Sequence, residues 1–168
     1  MNIRGFALVG VGVVAGCVLS GIGWPSVGAQ DSGRLTGQDF AEIERLYGLY
    51  NQGSDFRDAE MFLSAFSEDA VITSGGVETR GMAALRKVRE ERYQGQTGDN
   101  GRRHLNSSFV ITPTPEGAKG RAYWVVNDVS GPEPKPVVSG YYDDVFVKTA
   151  GGWKIKSRTL VRDSADTD

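Results

Sequence analysis

The stretch GRRHLNSSFVI (residues 101–111) contains His104, the only histidine of the 168-residue chain. Imidazole can both accept and donate a proton near neutral pH, so His104 is the first candidate for acid–base chemistry. If this stretch is a strand, alternation puts Asn106 and Ser108 on the face of His104, and Leu105 and Phe109 on the other face. The polar face then lines a pocket or meets solvent at a sheet edge.

The composition disfavours other reaction centres. Cys17 is the only cysteine and falls in the predicted leader described below, so we expect neither a disulfide nor a thiol nucleophile in the mature chain. One histidine without cysteine also disfavours a zinc or non-haem iron centre, and we expect no metal and no cofactor. With a formal net charge of −2, nucleic acid is not an expected partner.

The first 29 residues have the features of a secretory signal peptide. Arg4 precedes an apolar run, and Val27 and Ala29 stand at the −3 and −1 positions of a signal peptidase site. We therefore expect export to the periplasm or medium, with cleavage after Ala29 and a polar lead-in over residues 30–35. The alternative is a lipoprotein anchored at Cys17, because residues 14–17 (VAGC) match a bacterial lipobox.

Three helices are predicted before the chain becomes strand-rich. The first begins at Thr36, with Asp39 as its capping partner, and runs to about Asn51 on an apolar stripe. Gly53 and Ser54 are expected to break it, and Asp55 to cap a second helix. The third helix follows Gly81. Its basic residues alternate with glutamates and predict a solvated face: Arg86, Lys87, Arg89 and Arg92.

Strands are predicted by runs of period two. A short hairpin turns at residues 75–76, and four longer strands cover about 102–112, 118–129, 136–148 and 152–162. Short turns between them predict antiparallel neighbours. The sequence therefore predicts an α+β domain over residues 36–162, with three helices on one face of a curved, mainly antiparallel sheet around a cone-shaped cavity. Residues 163–168 are expected to be a disordered tail.

Four segments together resemble the SnoaL-like domain of the nuclear transport factor two-like superfamily. They are LYGLYNQGSDFRDAEMFLSAFSEDAVIT, TRGMAALR, RRHLNSSFVI and GYYDDVFVKTAGGWKIKSRTL. The resemblance covers residues 36–162. This superfamily includes scytalone dehydratase, ketosteroid isomerase and polyketide cyclases, so it implies a fold more specifically than an activity.

Resemblance to the scytalone dehydratase-like members implies roles for individual residues. Tyr50 matches a tyrosine at the end of the first helix, and His104 matches a histidine that begins the strand after the third helix. The aspartate of the family's Tyr-Asp pair is replaced by Asn51, which cannot ionise to stabilise an imidazolium. Asp55, one helical turn further on, could replace it, although an N-cap is its expected role.

Resemblance to ketosteroid isomerases adds a carboxyl group. Asp144 matches an aspartate on the penultimate long strand, and Tyr47 or Tyr50 matches a tyrosine of the first helix. The position of the isomerase base falls near Ser74, which cannot act as that base.

Two functions follow from the resemblance. The first is a cofactor-free lyase or isomerase in which His104, Tyr50 and Asp144 act on a small apolar or aromatic substrate. Six further side chains are expected to bind that substrate: Tyr47, Asn51, Asn106, Ser108, Tyr142 and Phe146. The alternative is a non-catalytic domain for ligand binding or dimerisation, and either function is expected in a homodimer formed through the sheet face.

Overall fold

The computed structural model describes residues 33–163. The predicted signal peptide, residues 30–32 of the polar lead-in and the predicted tail after Asp163 lie outside the described residues. None of the helices in the described range is both long and apolar enough to cross a membrane.

Three helices and six strands follow one another over this range. They are α1 (Gly37–Asp55), α2 (Ala59–Ser64), β1 (Phe66–Ser74), β2 (Val77–Arg80), α3 (Met82–Tyr93), β3 (Arg102–Thr114), β4 (Gly117–Asp128), β5 (Lys135–Thr149) and β6 (Gly152–Arg162).

All six strands belong to one sheet, in the order β2-β1-β6-β5-β4-β3. The last four strands form the predicted antiparallel meander, and β1 and β2 form the predicted hairpin. The strand β1 then lies parallel to β6, at the far end of the chain, and joins the hairpin to the meander. The prediction of an α+β fold with a mainly antiparallel sheet is confirmed.

Helix α1 starts with the predicted capping box. The Thr36 hydroxyl accepts a hydrogen bond from Asp39 N at 3.2 Å, and Asp39 Oδ2 accepts one from Thr36 N at 2.9 Å. The other oxygen of Asp39 accepts from Lys148 Nζ at 2.7 Å and from Trp153 Nε1 at 2.8 Å. These donors hold the pKa of Asp39 well below its usual value, and Lys148 has the largest effect. The carboxylate thus ties the start of α1 to β5 and β6.

The far end of α1 differs from the prediction. The helix does not break at Gly53 and Ser54 but continues to Asp55. Gly53 is needed because of a close approach: a Cβ at this position would lie 2.4 Å from the backbone nitrogen of Phe62 in α2. The cap of α2 is Asp58, whose carboxylate accepts from Met61 N at 2.8 Å. Asp55 is therefore free of the capping role that we expected.

Strand β3 does not alternate without interruption, contrary to the prediction. Its pairing with β4 shifts register between Ser107 and Val110, and Ser108 has a φ of +55°. The extra residue of such a bulge reverses which side chains face inward. Phe109 and Ile111 therefore pack against the core, whereas Ser108 is exposed.

Helix α3 buries a residue that was expected in solvent. Its buried side chains are Leu85, Arg89 and Tyr93, which recur every four residues on one face. The prediction of a fully solvated basic face is wrong at Arg89, which is only 8% exposed, although Lys87 and Arg92 are exposed. The guanidinium of Arg89 lies over the Phe62 ring, 3.6 Å from its centroid.

Candidate active site

A central cavity of about 700 Å³ is lined by the end of α1, the inner face of α3 and the sheet. Its apolar wall includes Trp124 of β4 and Tyr142 of β5, whose rings stack with centroids 5.7 Å apart. Tyr50 of α1 meets Tyr142 edge-on at 5.6 Å. His104 at the start of β3 completes this side of the cavity.

His104 is bound to a carboxylate through both its ring and its backbone. Asp55 Oδ1 lies 2.5 Å from His104 Nδ1, and Asp55 Oδ2 accepts from the His104 backbone nitrogen at 2.9 Å. The Asp55 side chain is 4% exposed and the His104 side chain 21% exposed. With Nδ1 held by the carboxylate, Nε2 is the ring nitrogen available to a ligand. This arrangement can orient an imidazole for proton transfer at Nε2.

The continuation of α1 explains how the pair forms. Asp55 is the last residue of the helix, one turn after Asn51, so both side chains can reach the first residues of β3. The carboxylate that Asn51 does not supply is therefore supplied by Asp55. The expectation that Asp55 is a helix cap was wrong, because the helix extends one turn further than the sequence suggested.

Asn51 lies beside this pair but has a structural role. Its amide nitrogen donates to the backbone oxygen of His104 at 3.2 Å and to Asn106 Oδ1 at 2.6 Å. The Asn106 amide in turn donates to the backbone oxygen of Tyr123 at 3.2 Å. These bonds tie α1 to β3 and β4 and hold the backbone of His104 in place.

A carboxylate at position 51 should therefore harm this protein. In the Asn51→Asp variant, a carboxylate would face two acceptor oxygens with no donor between them, which we expect to lower the free energy of unfolding by about 1–3 kcal/mol at pH 7. The loss should shrink at a pH below about 4, where an aspartic acid carries a proton and can donate. Urea unfolding at the two pH values measures both effects. A gain in stability would contradict the assignment of donor and acceptor atoms.

A buried ion pair lies behind the tyrosines. Arg158 of β6 donates to both oxygens of Asp144 at 2.8 Å, and both side chains are 0% exposed. The guanidinium carbon lies 4.0 Å from the Tyr142 ring centroid, 4.4 Å from that of Tyr50 and 4.7 Å from that of Tyr47. Burial alone would lower the pKa of Arg158, but the Asp144 carboxylate raises it above its usual value. The charged pair thus packs against the three tyrosine rings and holds them in place.

Burial determines the protonation state of two of these tyrosines. It raises the pKa of Tyr47 and of Tyr142 well above the ordinary value for a phenol, with the nearby Asp144 adding to the effect at Tyr47. Both remain neutral at physiological pH. Tyr142, which lines the cavity, can therefore donate a hydrogen bond to a ligand but does not serve as a base.

The structure brings only some of the predicted site residues to the cavity. Those on its lining are His104, Tyr50 and Tyr142. The others lie elsewhere: Asp144, Tyr47, Asn51, Asn106, Ser108 and Phe146. Asp144 is an ion-paired carboxylate, unlike the neutral acid that the isomerase resemblance implied. Tyr47 and Phe146 belong to the core, and the bulge turns Ser108 outward.

Sequence reasoning missed the basic side of the cavity. Five arginines line it: Arg57, Arg89, Arg92, Arg102 and Arg162. One signal was available, because Arg89 stands four residues after Leu85 and four before Tyr93, on the apolar face of its helix. Among residues 33–163, no group of three or more His, Cys, Asp or Glu side chains is placed to hold a metal ion.

Comparison with known proteins agrees with this architecture. Residues 36–159 match the family model described as SnoaL-like domain. A protein with a cystatin-like fold from Nostoc punctiforme is 22% identical with a TM-score of 0.69, over 80% of this chain and 98% of that chain. No curated protein matches the sequence significantly.

Two further solved structures are slightly more similar in sequence. ActVI-ORFA from Streptomyces coelicolor is 25% identical with a TM-score of 0.64, over 74% of this chain and 97% of that chain. A protein from Novosphingobium aromaticivorans, provisionally named a scytalone dehydratase, is 25% identical with a TM-score of 0.63, over 76% of this chain and 85% of that chain.

Proposed function

Because this chain belongs to the SnoaL-like domain family, we propose that its central cavity binds a small molecule and that His104 transfers protons to and from it without a cofactor. The observation that carries the proposal is the contact of His104 Nδ1 with Asp55 at 2.5 Å. A buried carboxylate that orients an imidazole beside a cavity is the arrangement that general acid–base catalysis by histidine uses. The reaction class is that of a lyase or an isomerase.

The chemistry can be written for the loss of water from a hydroxyl compound. His104 Nε2 takes a proton from a carbon next to a carbonyl group, and the electron pair of that C–H bond forms the new double bond. The C–O bond breaks, and the imidazolium returns its proton to the departing oxygen as water. Asp55 balances the positive charge of the imidazolium, while Tyr50 and Tyr142 are donors for the carbonyl oxygen. For an isomerase, the proton returns to a different carbon.

Solvent exchange tests this proposal and does not require the product to be identified. Wild-type protein in D2O is incubated with aryl ketones, β-hydroxy ketones and their carboxylated analogues, and the loss of each α-proton signal is followed by NMR. We expect exchange with at least one compound, and a loss of about 10²- to 10⁴-fold in the His104→Gln variant. Equal rates in both proteins, or no exchange with any compound, would refute the proposal.

Export is part of the proposed function. The signal-peptide pattern supports cleavage after Ala29, and the alternative is lipidation of Cys17. Mass spectrometry of the full-length chain secreted by a bacterial host distinguishes them. A mature mass that begins at Gln30 supports cleavage, whereas a diacylglycerol adduct on Cys17 or an uncleaved chain contradicts it.

The outer face of the sheet supports the expected homodimer. Four large apolar side chains on it are exposed: Leu105, Val110, Tyr123 and Val137. They lie on three adjacent strands, where Arg121 also pairs with Asp143 and covers the Tyr141 ring at 4.6 Å. Exposed apolar side chains that share a sheet face with an ion pair are typical of a subunit interface, and a second copy of the same face is the occupant that symmetry favours.

The Tyr123→Lys variant should be monomeric. It places a charge in the centre of this face, where burial against a second copy would be costly. Sedimentation velocity at micromolar concentration should give a dimer for the wild type and a monomer for the variant. A Lys148→Ala variant, changed on the edge near α1, should remain a dimer. A monomeric wild type would contradict the proposed interface.

A further inference from the structure

The central cavity has a surplus of positive charge. The whole chain has a formal net charge of −2, yet the described residues that line the cavity include the five arginines and no aspartate or glutamate. Trp124 adds a further donor, because its buried Nε1–H has no acceptor among the described residues. Such a lining favours a ligand that brings acceptor atoms and negative charge.

Arg89 is the most constrained of these cations. It is 8% exposed, it lines the cavity, and no carboxylate in residues 33–163 lies within salt-bridge distance of it. Burial lowers the pKa of its guanidinium and so does the charge of neighbouring Arg92, while Tyr50 and Tyr93 oppose part of that shift. A guanidinium nevertheless remains charged in proteins. A buried, unpaired charge with a like charge beside it is costly, and an anion bound between the two relieves that cost.

The other three arginines of the lining are Arg57, Arg102 and Arg162. Arg57 donates to the backbone oxygens of Gly98 and Asp99 at 3.2 and 2.8 Å, so its guanidinium is already hydrogen-bonded to the loop before β3. Arg102 has a partner in Asp128, at 3.2 Å. Arg162 ends β6 on the sheet side, so Arg89 and Arg92 of α3 are the cations that line the helical side of the cavity.

The aromatic wall defines the rest of the ligand. The stacked rings of Trp124 and Tyr142 stand on the sheet side of the same cavity, with Leu160 and Val126 also on the lining. A flat aromatic group packs well on such a surface. A guanidinium fork matches the two oxygens of a carboxylate.

We propose that the substrate of this site is an aromatic carboxylate, whose anionic group binds Arg89 and Arg92 and whose ring lies against Trp124 and Tyr142. This inference rests on the proposed function for the identity of the site and adds the substrate class. It also changes the sequence-based expectation of an apolar substrate, because an uncharged ligand would leave Arg89 without a partner.

Binding of a matched pair of probes tests the substrate class. 2-Naphthoate and 2-naphthamide have nearly the same shape and differ in charge. Calorimetric titration of the wild-type protein at low ionic strength should show naphthoate binding about 10- to 100-fold more tightly than the amide, as charge-assisted hydrogen bonds predict. Equal affinity for the two probes, or no detectable binding of naphthoate, would overturn the inference.

Variants locate the anion site. Arg89→Gln and Arg92→Gln should each reduce the preference for naphthoate, with the larger loss at Arg89, whereas Lys87→Gln on the exposed side of α3 should leave it unchanged. Circular dichroism checks the fold. If Arg89→Gln does not fold, the test rests on the Arg92→Gln variant, whose changed residue is exposed, and on the two wild-type titrations. A preference that survives in both cavity variants would refute the assignment.

This readout is separate from turnover. A protein that prefers naphthoate through Arg89 but exchanges no carbon-bound proton would refute the proposed function and leave the anion site standing. A protein that exchanges protons but binds the two probes equally would refute the anion site and leave the proposed function standing.

Discussion

The Asp55→Asn variant is expected to lose about 10²- to 10⁴-fold in the rate of α-proton exchange. An asparagine can keep the shape of the contact to His104, but it cannot balance an imidazolium, and its amide nitrogen can turn toward Nδ1 and favour the wrong tautomer. Since the carboxylate accepts from both the ring and the backbone of His104, at 2.5 and 2.9 Å, the change affects the group that orients the ring.

A matched control lies three residues away. Asp58 caps α2 through Met61 N, and asparagine is an equally good cap, so Asp58→Asn should exchange protons at the wild-type rate. NMR of the His104 ring protons gives a second readout: the Nδ1–H signal should move or disappear in Asp55→Asn and stay unchanged in Asp58→Asn. If the pair acts as a unit, the double variant with His104→Gln should be no slower than His104→Gln alone. Full activity in Asp55→Asn would show that His104 works without a carboxylate.

The Asp144→Ala variant is expected to lower the free energy of unfolding by about 3–5 kcal/mol. It leaves the guanidinium of Arg158, whose side chain is 0% exposed, without a counter-charge beneath three aromatic rings. For a domain of this size such a loss is a large part of the total stability. Urea unfolding followed by tryptophan fluorescence measures it.

The neighbouring residue supplies the control. Asp143 points to the outer face and pairs with Arg121, and these side chains are 45% and 55% exposed. Asp143→Ala should change stability little, because exposed ion pairs contribute little. Replacing both Asp144 and Arg158 by apolar residues of similar size should recover most of the stability lost in Asp144→Ala. A stability loss as small for Asp144→Ala as for Asp143→Ala would contradict a desolvated ion pair at this position.

Much of the fold follows from local patterns. The capping box at Thr36, the apolar stripe of α1 and the turns between the last four strands each depend on residues close together in sequence. Helical and strand periodicity are set by backbone geometry alone, so they do not depend on which elements pack against each other. The same patterns singled out His104, and the alternate burial of Tyr142, Asp144 and Phe146 in β5 follows from strand geometry.

The site itself depends on contacts between distant parts of the chain. Asp55 meets His104 across 49 residues, and the contact exists because α1 runs one turn longer than Gly53 suggested. Arg89 is buried because α3 packs against Phe62, which its charge pattern did not indicate. The bulge at Ser108 decides which side chains of β3 after residue 107 face the core.

The sequence by itself therefore determined the order of the helices and strands, the antiparallel meander and the histidine at its start. Only the tertiary structure decided which carboxylate serves that histidine, that Asp144 is held by Arg158, and that the cavity is lined by arginines. The physical reason is that periodicity and capping act within a few residues, whereas the packing of α1 and α3 on the sheet brings together side chains that no local pattern connects.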